Sequence, residues 1–188
     1  MLAKLKALGI NIEIVKVIES ILTNRSQKVV VEGQLSEPAY VPSGVPQGSV
    51  LGPTLFLIFI NDICKDLSSN IRLFADDCCL YRKIKSELDR ILLQKDLNKI
   101  MAWCKRWGME LNLGKCVFMT VSRLLNKIVR SYELGGVKLE KVTAYKYLGV
   151  TLCSNLTWHN HVNQAITKAN QTLGFVRKNL KNALSRQS

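Results

Sequence analysis

Residues 38–61 carry no charged side chain, yet they hold every proline of the chain (Pro38, Pro42, Pro46, Pro53) together with Gly44, Gly48 and Gly52. That mixture constrains the fold more than any other stretch. Proline fixes φ and removes an N–H, while glycine admits left-handed backbone. Pro42 to Ser49 is therefore expected to be an irregular loop, stiff at its prolines and permissive at its glycines. A helix over roughly 53–65 should follow, with Pro53 in its first turn. It is apolar nearly all round, which predicts burial. The unbroken apolar run, Leu55 to Ile60, is far too short to span a bilayer.

The next informative stretch is Ile71 to Tyr81, where Asp76 and Asp77 stand between two apolar runs. The flanking β-branched and aromatic residues suit strands, so a hairpin over 71–83 is expected with the aspartates at its tip. Two readings of the pair stand. Aspartate is common in solvated turns. Alternatively, a carboxylate pair that is half buried repels itself unless a cation compensates it, and Mg²⁺ prefers one or two carboxylates plus substrate phosphates.

The remaining pattern is mixed. Ile12, Val15, Ile18, Ile21 and Leu22 share one helical face, and Asn24-Arg25 ends that helix. Lys28 to Glu32 and Pro38 to Val41 read as strands around Gly33-Gln34. Ser86 with Asp89 resembles a capping box for a helix reaching Trp107. Trp103 and Trp107 are read as packing residues of that helix. Met109–Leu113 and Cys116–Val121 read as short strands around Gly114-Lys115. Residues 128–142 read as a hairpin around Gly135-Gly136, and Tyr145–Leu152 as one strand interrupted by Gly149. A helix follows from Trp158, capped by Asn155 or Thr157. His159 and His161, two positions apart, face different ways on it and are read as solvated or capping residues rather than a metal pair.

Charge narrows the function. Lys and Arg total 27 against 14 Asp and Glu, a balance of +13, and no acidic residue follows Glu140. Such a chain suits a polyanionic partner, usually nucleic acid. The six cysteines include no C-x-x-C spacing. They are expected to be reduced thiols of an intracellular protein, not a disulfide framework or zinc site. No signal peptide, internal repeat or low-complexity linker is read.

Ser43-Gly44-Val45-Pro46-Gln47-Gly48-Ser49-Val50-Leu51-Gly52-Pro53, then Leu55-Phe56, Ile60-Asn61-Asp62 and Phe74-Ala75-Asp76-Asp77, resembles a reverse transcriptase, with non-LTR retrotransposons of the LINE/jockey kind as the nearest group. The likeness runs from Leu2 to Leu180. It implies an α+β right-hand polymerase: a partial reverse transcriptase domain over 1–152, palm with a remnant of fingers, and the basic helical start of a thumb or connection over 153–188. The implied chemistry is RNA-directed DNA synthesis by two-metal nucleotidyl transfer with Mg²⁺ or Mn²⁺. Asp76 and Asp77 would be the catalytic, metal-holding residues, Asp76 as direct ligand and Asp77 in support. Gly44, Pro46, Gln47, Gly48, Phe74, Ala75 and Lys115 would face nucleotide or template, and Tyr147, Leu148 and Gly149 would support the primer. For Lys115 a solvated turn lysine is the competing reading. Partners would be an RNA template, a DNA primer, their heteroduplex and deoxynucleoside triphosphates, with no membrane, in nucleus and cytoplasm.

The family also has a catalytic aspartate on an earlier strand, upstream of the helix that opens this chain. Glu13, Glu19, Glu32 and Glu37 do not resemble it in context. The expectation is a fragment that lacks the N-terminal part of a parent polyprotein and is inactive alone. A non-catalytic nucleic-acid-binding remnant and an unfolded coding remnant are the alternatives. Within the class, a group II intron or retron enzyme is the runner-up.

Overall fold

The computed structural model describes residues 1–122 and 131–184. It is a mixed helix-and-strand chain, in keeping with an α+β class, and it divides into compact units of Met1–Trp103 and Cys104–Ser188. The expected hairpin at 128–142 begins partly outside the described residues.

The first unit opens with α1 (Leu2–Ala7) and α2 (Ile12–Leu22), the latter capped by the Asn11 side chain, which accepts the Glu13 N–H at 2.8 Å. Leu5, Val15, Ile18 and Leu55 form its buried cluster, and Val45 packs against them. After α2 the chain makes a two-tier hairpin. Strand β1 (Arg25–Gln27) pairs with β4 (Ala39–Val41), and β2 (Val30–Val31) pairs with β3 (Gln34–Leu35) around Glu32-Gly33. Both turn residues have positive φ, the pattern of a type I′ turn. The first strand thus begins at Arg25, earlier than the sequence pattern predicts.

Helix α3 (Leu51–Ile60) continues as a 3₁₀ turn, Asn61–Cys64. Its all-round apolar surface predicts complete burial, and the structure departs from that. Gly52, Leu55 and Ile60 are buried, but Leu57 is 53% exposed. An apolar surface states what a helix tolerates against it, and this unit covers only one side.

Two buried polar knots hold the unit together. Lys4 on α1 donates to the Phe59 carbonyl and to Asp62 Oδ1, both at 2.5 Å, with its ammonium over the rings of Phe59 and Trp103. Trp103 Nε1 donates to the same Asp62 oxygen at 2.9 Å. Burial pushes the Asp62 pKa up, but the bonds from Lys4 and Trp103 and the charges of Lys4 and Lys65 outweigh it and hold the carboxyl below its usual range. Trp103 is thus a packing residue, with Phe59 edge-on at 5.7 Å.

The second knot is Asp96 on α4 (Glu87–Trp107), which is fully buried. Its Oδ2 accepts the Ser68 N–H at 3.0 Å, the Ser68 hydroxyl at 2.9 Å and the Ser69 N–H at 2.7 Å. Lys99 lies 3.2 Å from Oδ1. Burial opposes the charge, but contacts with Ser69, Ser68 and Lys99 win and bring the pKa down to about 2. Ser68 and Ser69 lead directly into β5 (Asn70–Phe74), which pairs with β6 (Asp77–Tyr81). Arg82, just past β6, donates to the Ser68 carbonyl at 2.9 Å and pairs with Asp89 at 3.2 Å. Asp89 and Ser86 form the expected capping box: the Asp89 carboxylate takes the Ser86 N–H and hydroxyl, and its own N–H reaches Ser86 Oγ.

In the second unit Leu113–Lys115 is a 3₁₀ turn, and of the strands expected over 109–113 and 116–121 the structure has β7 (Val117–Phe118). The expected strand over 109–113 is absent because Asn112 and Leu113 carbonyls accept the N–H groups of Lys115 and Cys116 and curl the chain locally. β8 (Glu133–Leu134) and β9 (Val137–Lys138) pair around Gly135-Gly136, and β10 (Glu140–Lys141) pairs in parallel with β7. Tyr145–Leu152 is not one interrupted strand. It is the hairpin of β11 (Ala144–Tyr147) and β12 (Val150–Cys153). Helix α5 (His159–Leu184) follows. Asn155 makes an Asx turn, accepting the Thr157 N–H, rather than capping that helix. His161 is half-buried: it accepts the Thr151 N–H at 3.4 Å and meets Trp158 edge-on. All six cysteines are free, with the Cys79, Cys104 and Cys116 thiols pushed up by burial. No helix is long and apolar enough to cross a membrane among the described residues.

Because Asp96 is ionised at about 2 when folded against an ordinary 3.8, it stabilises the fold above about pH 4 and loses that contribution as pH falls toward 2, roughly 2 kcal/mol in all. Asp96→Asn should therefore destabilise most near pH 6 and progressively less toward pH 2, as read by urea unfolding. An equal destabilisation at both ends would show that the carboxylate's charge is not what holds the turn.

Candidate active site

The β5–β6 register runs from Asn70 opposite Tyr81 to Phe74 opposite Asp77, which leaves Ala75-Asp76 as a two-residue turn. Ala75 has φ +50°, whereas Asp76 does not enter the left-handed region. That φ pattern is the II′ type, whose twist suits a hairpin and whose first position favours glycine. Asp76 is therefore a turn residue, and Asp77 is the first residue of β6. Opposed residues share a face, so Asp77 shares one with Phe74, Arg72 and Tyr81. Phe74 is 61% exposed, and the Arg72 guanidinium lies 5.8 Å from the Tyr81 ring. Both aspartates are exposed, and among the described residues neither carboxylate takes a hydrogen bond or ion pair.

The loop over 43–49 is ordered from both ends. Pro46-Gln47-Gly48-Ser49 closes a turn, with the Ser49 N–H 3.4 Å from the Pro46 carbonyl. Gly48 has φ +78°, the glycine position of a type II turn. Ser49 Oγ donates to the same carbonyl at 2.7 Å and accepts the Gly52 N–H at 3.0 Å, capping α3. Gly52 is required for a different reason. A Cβ there would stand 2.7 Å from the Pro46 carbonyl oxygen and 2.9 Å from Ser49 Oγ.

Loop and hairpin meet at one cleft of about 360 Å³, lined by Val45, Pro46, Gln47, Gly48, Gly52, Pro53, Phe56, Ala75 and Asp76. Five expected residues converge there: Pro46, Gln47, Gly48, Ala75 and Asp76. Gly44, Phe74 and Asp77 belong to the same loop and hairpin but do not line it. Val45, Gly52, Pro53 and Phe56 line it without having been expected to, and their signal was only membership of the loop or of the apolar helix. Lys115, exposed in its 3₁₀ turn, and Tyr147, Leu148 and Gly149 belong to the second unit. Leu148 (φ +48°) and Gly149 (φ +85°) form the two-residue turn between β11 and β12, an I′ pattern by φ. An apolar residue in left-handed backbone, 47% exposed, is a strained choice for such a tip.

The cleft has an apolar wall from Val45, Pro53 and Phe56 and an open carboxylate at its rim. Among the described residues the Asp76 carboxylate has no ion pair, and such a hard oxygen donor suits Mg²⁺, which completes its shell with water and phosphate oxygens. Among the described residues no three His, Cys, Asp or Glu side chains gather closely enough to hold a metal ion by themselves.

The proline-glycine loop and the hairpin turn that carries Asp76 thus meet at one cleft. The sequence model of the reverse transcriptase (RNA-dependent DNA polymerase) family matches residues 1–152, and the chain belongs to that family. Its relatives are retrotransposon proteins. It is 34% identical over 155 residues to the RNA-directed DNA polymerase from mobile element jockey of Drosophila melanogaster, covering 78% of this chain and 17% of that protein. It is 33% identical over 172 residues to the probable RNA-directed DNA polymerase from transposon BS of the same fly, covering 86% and 19%. A Pol polyprotein from type-1 retrotransposable element R2 of Popillia japonica is 26% identical over 210 residues, covering 95% and 34%. These matches bear out the resemblance to a non-LTR element's reverse transcriptase. The chain spans less than a fifth of the jockey and BS proteins.

Gly52→Ala should force the Pro46 carbonyl or the Ser49 cap to move, destabilising the chain by about 1–3 kcal/mol. Thermal unfolding with amide exchange over 43–52 checks it. Unchanged stability and loop exchange would show that the contact is slack.

Proposed function

We propose that this chain supplies the metal-holding hairpin and the nucleotide-facing loop of an RNA-directed DNA polymerase. The observation that carries the reading is the shared cleft, with Asp76 set against Pro46, Gln47 and Gly48. In this reading the first unit belongs to the palm and the fingers' remnant, and α5 to the start of the thumb. Asp76 and Asp77 would hold Mg²⁺ or Mn²⁺, which when bound supplies charge neutralisation at the transferring phosphoryl group. The chain's own residues position the substrate. Gln47, exposed at the turn corner, offers a donor and an acceptor to a base or sugar, and Gly48 lets backbone approach it closely. Val45, Pro53 and Phe56 give that wall an apolar surface. Lys115 would meet the triphosphate, and the strained Leu148-Gly149 tip would support the primer. RNA template, DNA primer and deoxynucleoside triphosphates are the partners, in nucleus and cytoplasm.

A second reading, nucleic-acid binding without catalysis, is favoured by the net charge of +13 and by α5, which carries Lys168, Arg177 and Lys178 and no acidic residue. The two separate by experiment. In a polypeptide where this chain is preceded by a family strand bearing the further carboxylate, Mg²⁺-dependent primer extension on RNA should fall at least about 100-fold in Asp76→Asn. Retained extension would remove Asp76 from the metal site. For the chain alone, filter binding of an RNA–DNA heteroduplex should weaken steeply with salt, at a slope near one per phosphate contact. Salt-independent or absent binding would reject the second reading.

A further inference from the structure

Arg25 stands at the junction of three segments. It is the first residue of β1, opposite Val41, beside the point where β4 runs into the loop. Its Nε donates to the Leu22 carbonyl at 3.2 Å, an otherwise open acceptor near the C-terminus of α2. Its Nη2 donates to two successive carbonyls of the loop, Ser43 at 2.9 Å and Gly44 at 2.7 Å. Gly44 has φ +80° and open space where a Cβ would stand, so packing does not restrain the loop there. The far end is clipped by Ser49 and the middle by Val45 in the core. At the near end β4 stops at Val41, and among the described residues the side-chain bonds to Ser43 and Gly44 come from this guanidinium.

We propose that Arg25 is a positioning residue for the 43–49 loop, which it holds in the conformation that lines the Asp76 cleft. A planar fork with fixed N–H directions can satisfy the α2 terminus and both loop carbonyls at once, and a lysine ammonium cannot do so from the same stem. Arg25 touches no substrate in this role. It decides where Pro46, Gln47 and Gly48 stand, so its consequence for nucleotide binding rests on the function proposed above, whereas its hold on the loop does not.

The test compares the full chain with Arg25→Lys and Arg25→Ala. Hydrogen exchange by mass spectrometry is read over 42–52 and, as a control, over 87–103. Binding of deoxythymidine triphosphate with Mg²⁺ is titrated in parallel. Loss of a charge-assisted hydrogen bond predicts about tenfold faster exchange of the loop in Arg25→Ala. Arg25→Lys should be intermediate, with the control segment unchanged in both. Triphosphate affinity should fall in the same order. Loop exchange equal to the unsubstituted chain, or faster exchange spread equally over loop and control, overturns the inference. A chain that binds no triphosphate while its loop responds to Arg25 upholds the positioning role and overturns the nucleotide reading.

Discussion

The carboxylate of Asp96 is the interaction on which the site's geometry depends. It takes two backbone N–H groups and a hydroxyl from Ser68 and Ser69, so it fixes where β5 begins. Arg82 returns from the end of β6 to the Ser68 carbonyl, so both strands are gripped at the same end. A hairpin fastened only at its base must get the position of its tip from register. Five cross-strand pairs carry that register to Phe74 and Asp77. The aspartates on the hairpin, on α4 and in the 3₁₀ turn after α3 therefore divide into two groups. Asp62, Asp89 and Asp96 are saturated by N–H and cationic partners and act as structural joints. Among the described residues Asp76 and Asp77 have no such partners, and that leaves their charge available to a ligand.

Much of this was legible in the residues. The loop, the helix after it and the aspartates at a hairpin tip follow from proline, glycine and β-branched spacing, because those residues act through backbone restrictions that hold in any context. The capping box at Ser86 was legible for the same reason. What stayed hidden were side chains whose task is set by distant backbone. Asp96 sits inside a helix among ordinary polar positions, and nothing local marks it as the receptor for residues nearly thirty positions earlier. Lys4 looks like any lysine in a short amphipathic helix. Arg25 reads as a helix end.

The errors share a cause as well. Tyr145–Leu152 was expected as one strand interrupted by Gly149, and the chain instead turns there, with Leu148 in a left-handed backbone that its side chain disfavours. Met109–Leu113 was expected as a short strand before Gly114-Lys115, and the Asn112 and Leu113 carbonyls curl its end into a 3₁₀ turn instead. Helix α3 was expected to be buried all round, yet the unit covers only part of it. In each case local composition described a preference, and hydrogen bonding or the available neighbours decided the outcome.

The glycines around the cleft differ in how they would record neutral drift. Gly44 and Gly48 need left-handed backbone but have open space about them, so asparagine, which visits that conformation, is a tolerable replacement. Gly52 has an ordinary backbone and no room, with a carbonyl oxygen and a hydroxyl inside contact distance of any side chain. Among copies of a mobile element accumulating substitutions, the first two positions can wander within a small alphabet while the fold survives. Gly52 has no such alphabet. Its replacement in a given copy would date the point at which the cleft ceased to be under selection.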